Sequence, residues 1–209
     1  MPALFLDRDG VINTDTGCAT DRHNFSLMPG VAPVLRHIQG MGWRLVVVTN
    51  QSWIGHGHLS LQDYRDVTDH MRSLLSAEDV VLDDVLHAPY HPHAQIEAFR
   101  CESFWRKPAP GMILDAAQSL RIDLSRSAMV GDRARDVQSA RQAGLAMSIF
   151  IASPLPETGM PDPDGPSYAD HVIEHVRELP VLLRKASIPS LLGYMNAKGV
   201  GQRLPGLPI

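Results

Sequence analysis

Five apolar runs, each of strand length, recur through the chain: residues 3–6, 44–48 ("RLVVV"), 84–88 ("DVLHA"), 127–130 ("SAMV") and 146–151 ("AMSIFI"). Runs this short and this continuously apolar fit strands buried on both faces, as in a parallel sheet. Parallel strands need crossovers, and the intervening segments have helical spacing. Residues 31–41 repeat apolar positions at Val31, Val34, Leu35 and Ile38. Residues 60–77 open with Ser60 as an N-cap and carry Val67, Met71, Leu74 and Leu75 on one side. Residues 110–120 begin at Pro110, and 133–143 are followed by Gly144, where proline and glycine start and stop helices. Strand alternating with helix predicts a doubly wound α/β fold, a mostly parallel sheet with helices on both faces. The segment 153–168, "SPLPETGMPDPDGPSY", is read as a loop because of its prolines and glycines. Residues 1–185 are then one domain, and 186–209 an irregular tail.

At 209 residues such a domain can bury a full core. A net charge of −4, without a long basic run, argues against a nucleic-acid partner. The longest apolar stretches fall far short of the roughly 20 residues of a membrane span. No basic, cleavable leader precedes the first strand, and the two cysteines, Cys18 and Cys101, set up no disulfide framework. The expectation is a cytoplasmic monomer without membrane or nucleic-acid partners, acting on a small molecule.

In a doubly wound sheet, ligands bind beyond the carboxyl ends of the strands. The first strand delivers Asp7 and Asp9 there, the second Thr49 in "VVVTNQS", and the fourth Asp132 and Asp136 in "MVGDRARD". Lys107, in "WRKPAPGM", arrives just ahead of a helix. Acids, one hydroxyl and one lysine suit phosphoryl transfer. A carboxylate attacks phosphorus, and a hard cation bridges the two anions. Hydroxyl and ammonium groups bind the remaining oxygens, and a second carboxyl protonates the leaving oxygen. Taken alone, Thr49 equally suits a strand cap and Lys107 a solvated charge before proline. Asp136 is read as steadying its loop or capping the helix at 136–143, and Arg133 and Arg135 as surface charges.

The ordered set "FLDRDGVIN", "VVVTNQS", "RKPAPGM" and "MVGDRARD" resembles the four motifs of the haloacid dehalogenase (HAD) superfamily. More closely, residues 3 to 185 are similar to its heptose bisphosphate and histidinol-phosphate phosphatase branch. The resemblance implies a Rossmann-like HAD-type domain without a full cap, with only residues 13–28 and 88–106 extending the rim. It implies a Mg²⁺-dependent phosphatase with Asp7 as nucleophile and Asp9 as general acid and base. Thr49 and Lys107 would hold the transferring phosphoryl group. Asp7, the Asp9 carbonyl and Asp132 would bind Mg²⁺. Asn50, Gln51 and Arg106 would orient the substrate, with Arg133 within reach of a substrate phosphate. The implied substrate is D-glycero-D-manno-heptose 1,7-bisphosphate, losing its 7-phosphate on the way to nucleotide-activated heptose for a surface glycan. Histidinol phosphate or another small phosphorylated metabolite is the alternative, and a non-catalytic phosphosugar-binding protein a remote one.

Two departures from that branch stand out. Its structural zinc ligands fall on Ala88, Tyr90, Ser103 and Trp105, so that zinc is expected to be absent. His87, His91, His93 and Cys101 remain as candidates for another metal. Otherwise His91 and His93 are exposed loop residues and Cys101 a small buried thiol. A mini-core of Tyr90, Phe99, Phe104 and Trp105 is the alternative support for the loop. The second departure is "TNQSWIGHGHLS", where Trp53 and His56 replace the branch's usual glycine and arginine. Both are read as lining the sugar pocket, with Trp53 equally suited to packing on the neighbouring helix.

Overall fold

The computed structural model describes residues 1–14, 25–152 and 164–186. The expectations for Cys18, for loop residues 153–163 and for tail residues 187–209 lie outside them. Six parallel strands form one sheet: β1 (Ala3–Leu6), β2 (Arg44–Asn50), β3 (Asp84–Ala88), β4 (Ala128–Gly131), β5 (Met147–Ile151) and β6 (His171–Ile173), in the order β3-β2-β1-β4-β5-β6. The chain winds outward from β1 to β3, then returns to place β4 on the other side of β1. The break between β1 and β4 is therefore the topological switch point, where such sheets open a crevice.

Strand alternation builds a core on each face. Leu4, Leu6, Leu45, Val47, Val130, Ile149 and Ile151 point to one side. There they meet Val31, Leu35 and Ile38 of α1 (Val31–Gly40), Val67, Met71 and Leu75 of α3 (Leu61–Ser76), and Leu179 and Leu183 of α7 (Leu179–Ala186). Ala3, Phe5, Val46, Val48 and Met129 point to the other side. These meet Met112, Ile113 and Ala116 of α4 (Gly111–Leu120), and Ala140 and Ala143 of α5 (Ala134–Ala143). Both faces of the sheet are thus covered, as the doubly wound expectation requires.

Helix ends follow local chemistry. Ser60 caps α3 by accepting the Asp63 N–H at 3.0 Å, and the Asp63 carboxylate accepts the Ser60 N–H in return. Gly144 closes α5 at φ 77°. The sequence reading missed β6, α7 and the short α2 (Ser52–Gly55). It also assigned to a loop the residues of α6 (Gly165–Tyr168), where Pro166 opens a single turn. No helix among the described residues is long and apolar enough to cross a membrane.

Candidate active site

The Asp7 N–H still bonds the Val130 carbonyl at 3.0 Å, so this residue extends the ladder between β1 and β4. The chain then turns sharply: the Arg8 carbonyl accepts the Ile12 N–H at 2.8 Å, and Gly10 donates to the Asn13 carbonyl at 2.9 Å. Gly10 has φ 78°, and a Cβ there would stand 2.5 Å from Oδ2 of Asp132. Only glycine lets the turn after β1 approach the loop after β4 so closely.

Lys107, which taken alone also suits a solvated charge, is 2 % exposed. Its Nζ lies 3.0 Å from Oδ1 of Asp7 and 2.7 Å from Oδ1 of Asp136, and donates to the Val48 carbonyl at 2.7 Å. Asn50 fixes its backbone in both directions: Nδ2 donates to the Lys107 carbonyl at 2.9 Å, and Oδ1 accepts the Lys107 N–H at 3.0 Å. Asp136 is wholly buried, and its Oδ2 accepts the Arg133 N–H at 3.0 Å. It therefore caps α5 and also orients the lysine.

Burial pushes the Asp7 carboxyl up, but Lys107, Arg135 and the Arg8 N–H outweigh it and hold it below its ordinary value. Burial opposes the charge on Lys107 as well, and is outweighed by Asp136 and Asp7. Asp132 has no lysine; burial, then Asp7 and Asp136, push its carboxyl up to about 8. Burial likewise raises Asp136, against the pull of Lys107. Asp7, Asp132 and Asp136 each bring a ligand atom within 4.8 Å of the others. Three buried carboxylates crowded at this density, two of them raised by burial and by their neighbours' charge, fit a hard divalent cation.

Asp9 sits beside this cluster under a different set of contacts. Arg8 donates from Nε and Nη2 to Oδ1 at 3.2 and 3.0 Å, and from Nη2 to Oδ2 at 3.0 Å. Asn13 Nδ2 reaches Oδ1 at 3.1 Å, and Gln51 Nε2 reaches Oδ2 at 3.0 Å. Gln51 also donates to Oγ1 of the buried Thr49 at 3.0 Å, linking the acid to the hydroxyl. Arg8 and Asn13 were not singled out as site residues in sequence. The available signal was the two-residue alternation Leu4, Leu6, Arg8, which carries the arginine onto the buried α3 face. There its Cζ stands 6.0 Å from the Tyr64 ring centroid.

Arg106 lies outside the carboxylate cluster, with Nη1 donating to the Tyr90 carbonyl at 2.9 Å. The Arg133 Nε lies 3.4 Å from Asp132 Oδ2, and the charge of Arg135 is felt by Asp7, Asp132 and Asp136. Both arginines thus act on the acid cluster and are not simply solvated surface charges. Trp53 is exposed with its ring centroid 5.0 Å from that of His58, and His56 lies 4.9 Å from His91.

The loop from 88 to 107 is held by its backbone and three of the four aromatic residues. Tyr90 meets Phe99 edge to face at 6.1 Å, and His91 donates its N–H to the Phe99 carbonyl. Tyr90 and Trp105 also pack on the α4 core. Phe104 does not belong to a mini-core: its carbonyl turns in to accept the Gly111 N–H, leaving the ring 62 % exposed. Cys101 is exposed, contrary to the buried-thiol reading.

Comparison with known proteins gives a consistent picture. Residues 4–144 match the family model described as haloacid dehalogenase-like hydrolase. D-glycero-beta-D-manno-heptose-1,7-bisphosphate 7-phosphatase of Escherichia coli (strain K12) is 38 % identical over 190 residues, covering 91 % of this chain and 97 % of that protein. The Haemophilus influenzae protein of the same name is 36 % identical, covering 88 % and 97 %. Among solved structures, a putative HAD-like phosphatase from Mesorhizobium loti superposes with TM-score 0.76 at 34 % identity, over 89 % of this chain and 86 % of its own. D,D-heptose 1,7-bisphosphate phosphatase from B. bronchiseptica, complexed with magnesium and phosphate, superposes with TM-score 0.73 at 26 % identity, over 90 % and 100 %.

Proposed function

Since the chain belongs to the haloacid dehalogenase-like hydrolases, we propose that it removes the 7-phosphate of D-glycero-D-manno-heptose 1,7-bisphosphate through a phosphoryl group held on Asp7. The observation that carries the chemistry is the buried Asp7–Lys107–Asp136 pairing at the switch point. The relatives at 38 % and 36 % identity support the substrate.

Lys107 keeps Asp7 ionised at neutral pH, so a carboxylate oxygen is available to attack phosphorus in line with the leaving oxygen. The P–O bond to the sugar breaks as the Asp7 O–P bond forms, and Asp9 gives the sugar oxygen its proton. Asp9, then a carboxylate, takes a proton from water, whose oxygen displaces phosphate from Asp7 and restores it. Lys107 and Thr49 face the phosphoryl oxygens, where charge grows in the transition state. Arg8, Asn13 and Gln51 donate to Asp9 as a carboxylate, its state once the proton has passed to the sugar oxygen. Asp7, Asp132 and the Asp9 carbonyl would hold Mg²⁺, which when bound neutralises the repulsion between phosphate and carboxylates. Asp136 is left to orient Lys107. The product keeps its 1-phosphate, the group that nucleotide activation requires.

Steady-state phosphate release with Mg²⁺ tests this reading over both heptose 1,7-bisphosphate anomers, histidinol phosphate and several hexose bisphosphates. One heptose anomer is expected to exceed every other compound at least about tenfold in kcat/KM, a difference of about 1.4 kcal/mol. Preference for histidinol phosphate, or a flat profile, overturns the substrate. We also propose that this chain holds no structural zinc, with hydrogen bonds and aromatic packing supporting the rim loop. Stoichiometric zinc in purified, tag-free protein contradicts that.

A further inference from the structure

Among the described residues, Arg8 is the largest side chain to be fully buried, at 1 % exposed. Taking a guanidinium out of water is costly unless its contacts offset the lost solvation. Nε and Nη2 fork onto both oxygens of Asp9, while Nη1 makes no hydrogen bond among the described residues. A side chain buried this completely does not meet substrate. Its influence on the reaction passes through Asp9, whose side chain remains 29 % exposed.

On its other side Arg8 meets Tyr64 of α3. The ring centroid lies 6.0 Å from Arg8 Cζ, within reach of a cation–π contact. That ring is fixed in turn. The His87 ring of β3 is 4.2 Å from it, centroid to centroid, with the planes inclined at 32°. Ile54 of α2 and Leu59 form a small core with Tyr64, and Phe99 of the rim loop packs against it. Burial, then Arg8 and Arg65, hold the His87 imidazole below its ordinary value, so near neutral pH it adds no second charge beside the guanidinium.

Asp9 is thereby joined to Thr49 by two routes. The short one is Gln51, whose Nε2 donates to Asp9 Oδ2 and to Thr49 Oγ1 at 3.0 Å each. The long one runs from Arg8 through Tyr64 to His87, which pairs with Thr49 in the ladder between β2 and β3. Held from both sides, the carboxylate has its plane fixed as well as its distance from that hydroxyl.

We propose that Arg8, backed by Tyr64, is a positioning residue for the second half of the reaction, holding the Asp9 carboxylate where it takes a proton from the attacking water. The inference rests on the two-step phosphatase reading and adds to it the residues that aim the base. In that step the water oxygen bonds to phosphorus as the Asp7 O–P bond breaks, and the water proton passes to Asp9. The fork is made to a carboxylate, which is the form Asp9 has at the start of that step. A base misplaced by about 1 Å loses on the order of 10²-fold in rate. A lysine in place of Arg8 would bring charge without the planar fork.

The test uses p-nitrophenyl phosphate at saturating Mg²⁺, because p-nitrophenolate leaves without needing a proton from Asp9. With this compound kcat/KM reports transfer to Asp7, whereas kcat also contains hydrolysis of the phosphorylated Asp7. In Arg8→Met, kcat is expected to fall at least about tenfold further than kcat/KM, so that KM falls with it. Tyr64→Leu keeps the guanidinium and removes its support. There the same split is expected at about threefold or more. Damage to Asp7, Lys107 or the Mg²⁺ site slows transfer and hydrolysis alike. Equal losses in kcat and kcat/KM in either variant, or no loss, therefore overturn the inference. A urea melt identifies an Arg8→Met protein that does not fold, in which case Tyr64→Leu decides alone. Failure of the phosphatase reading looks different: the wild type then releases neither p-nitrophenolate nor phosphate, or Asp7→Asn releases them equally well.

Discussion

Asp7→Asn is expected to fold, to keep a protected core, and to turn over phosphomonoesters at least about 10⁴-fold more slowly than the wild type. An amide nitrogen or oxygen is a poor nucleophile toward phosphorus, and no neighbour replaces the lost carboxylate. Asp9 is committed to Arg8, Asn13 and Gln51, and Asp136 to Lys107 and the Arg133 N–H. Asp132 lies nearby but without a lysine to keep it ionised. Folding survives because Lys107 retains Asp136 at 2.7 Å and the Val48 carbonyl at 2.7 Å. Stopped assays of phosphate release, alongside a urea melt, separate the two quantities. Activity within about a hundredfold of the wild type would remove Asp7 from the nucleophile's role.

The second large effect belongs to Lys107→Met. Methionine fills a similar volume, but the substitution strips the ammonium that pairs with Asp7 and Asp136 in a pocket that also holds Asp132. Breaking a buried ion pair by removing one partner costs about 3–5 kcal/mol, because the remaining charge stays desolvated. Here two carboxylates lose their partner at once. The comparison is Arg36→Met, which cuts an exposed pair with Glu78 at 3.7 Å and is expected to cost under about 1 kcal/mol. Urea midpoints measured on both variants give the contrast directly. Millimolar Mg²⁺ is expected to restore part of the Lys107→Met loss and none of the Arg36→Met loss. Equal destabilisation of the two variants would contradict the buried pairing.

The five strands read from apolar runs are present because fully buried parallel strands leave a continuous signature that needs no partner to interpret. β6 escaped because it is three residues long at the sheet edge and opens with His171 after Asp170. Aspartate there accepts the N–H and hydroxyl of Ser148, a tertiary contact across 22 positions of chain. The carboxylates were legible for the opposite reason. Charges at the ends of apolar strands cost solvation energy unless they are used.

What was not legible is the set of contacts made between segments. Lys107 before a proline has nothing local to mark it as buried; its neighbours arrive from β1, β2 and α5. Asn50 is adjacent in sequence to Thr49, yet its amide is spent on the Lys107 backbone. Arg8 stands between two aspartates, and its spacing alone does not distinguish a solvated arginine from one that forks onto Asp9. Phe104 went wrong in the other direction, since an aromatic residue in a rim loop is attractive as packing until its backbone commits it outward.

Rapid acid quench during turnover shows whether the phosphoryl group passes through Asp7. Wild-type protein mixed with excess substrate and Mg²⁺, quenched within one turnover and digested, is predicted to carry a phosphoryl group on the peptide containing Asp7. The adduct should be absent when substrate is omitted and absent in Asp7→Asn. A phosphoryl group found on a peptide lacking Asp7, or full turnover with no acid-stable adduct at any quench time, would contradict the account.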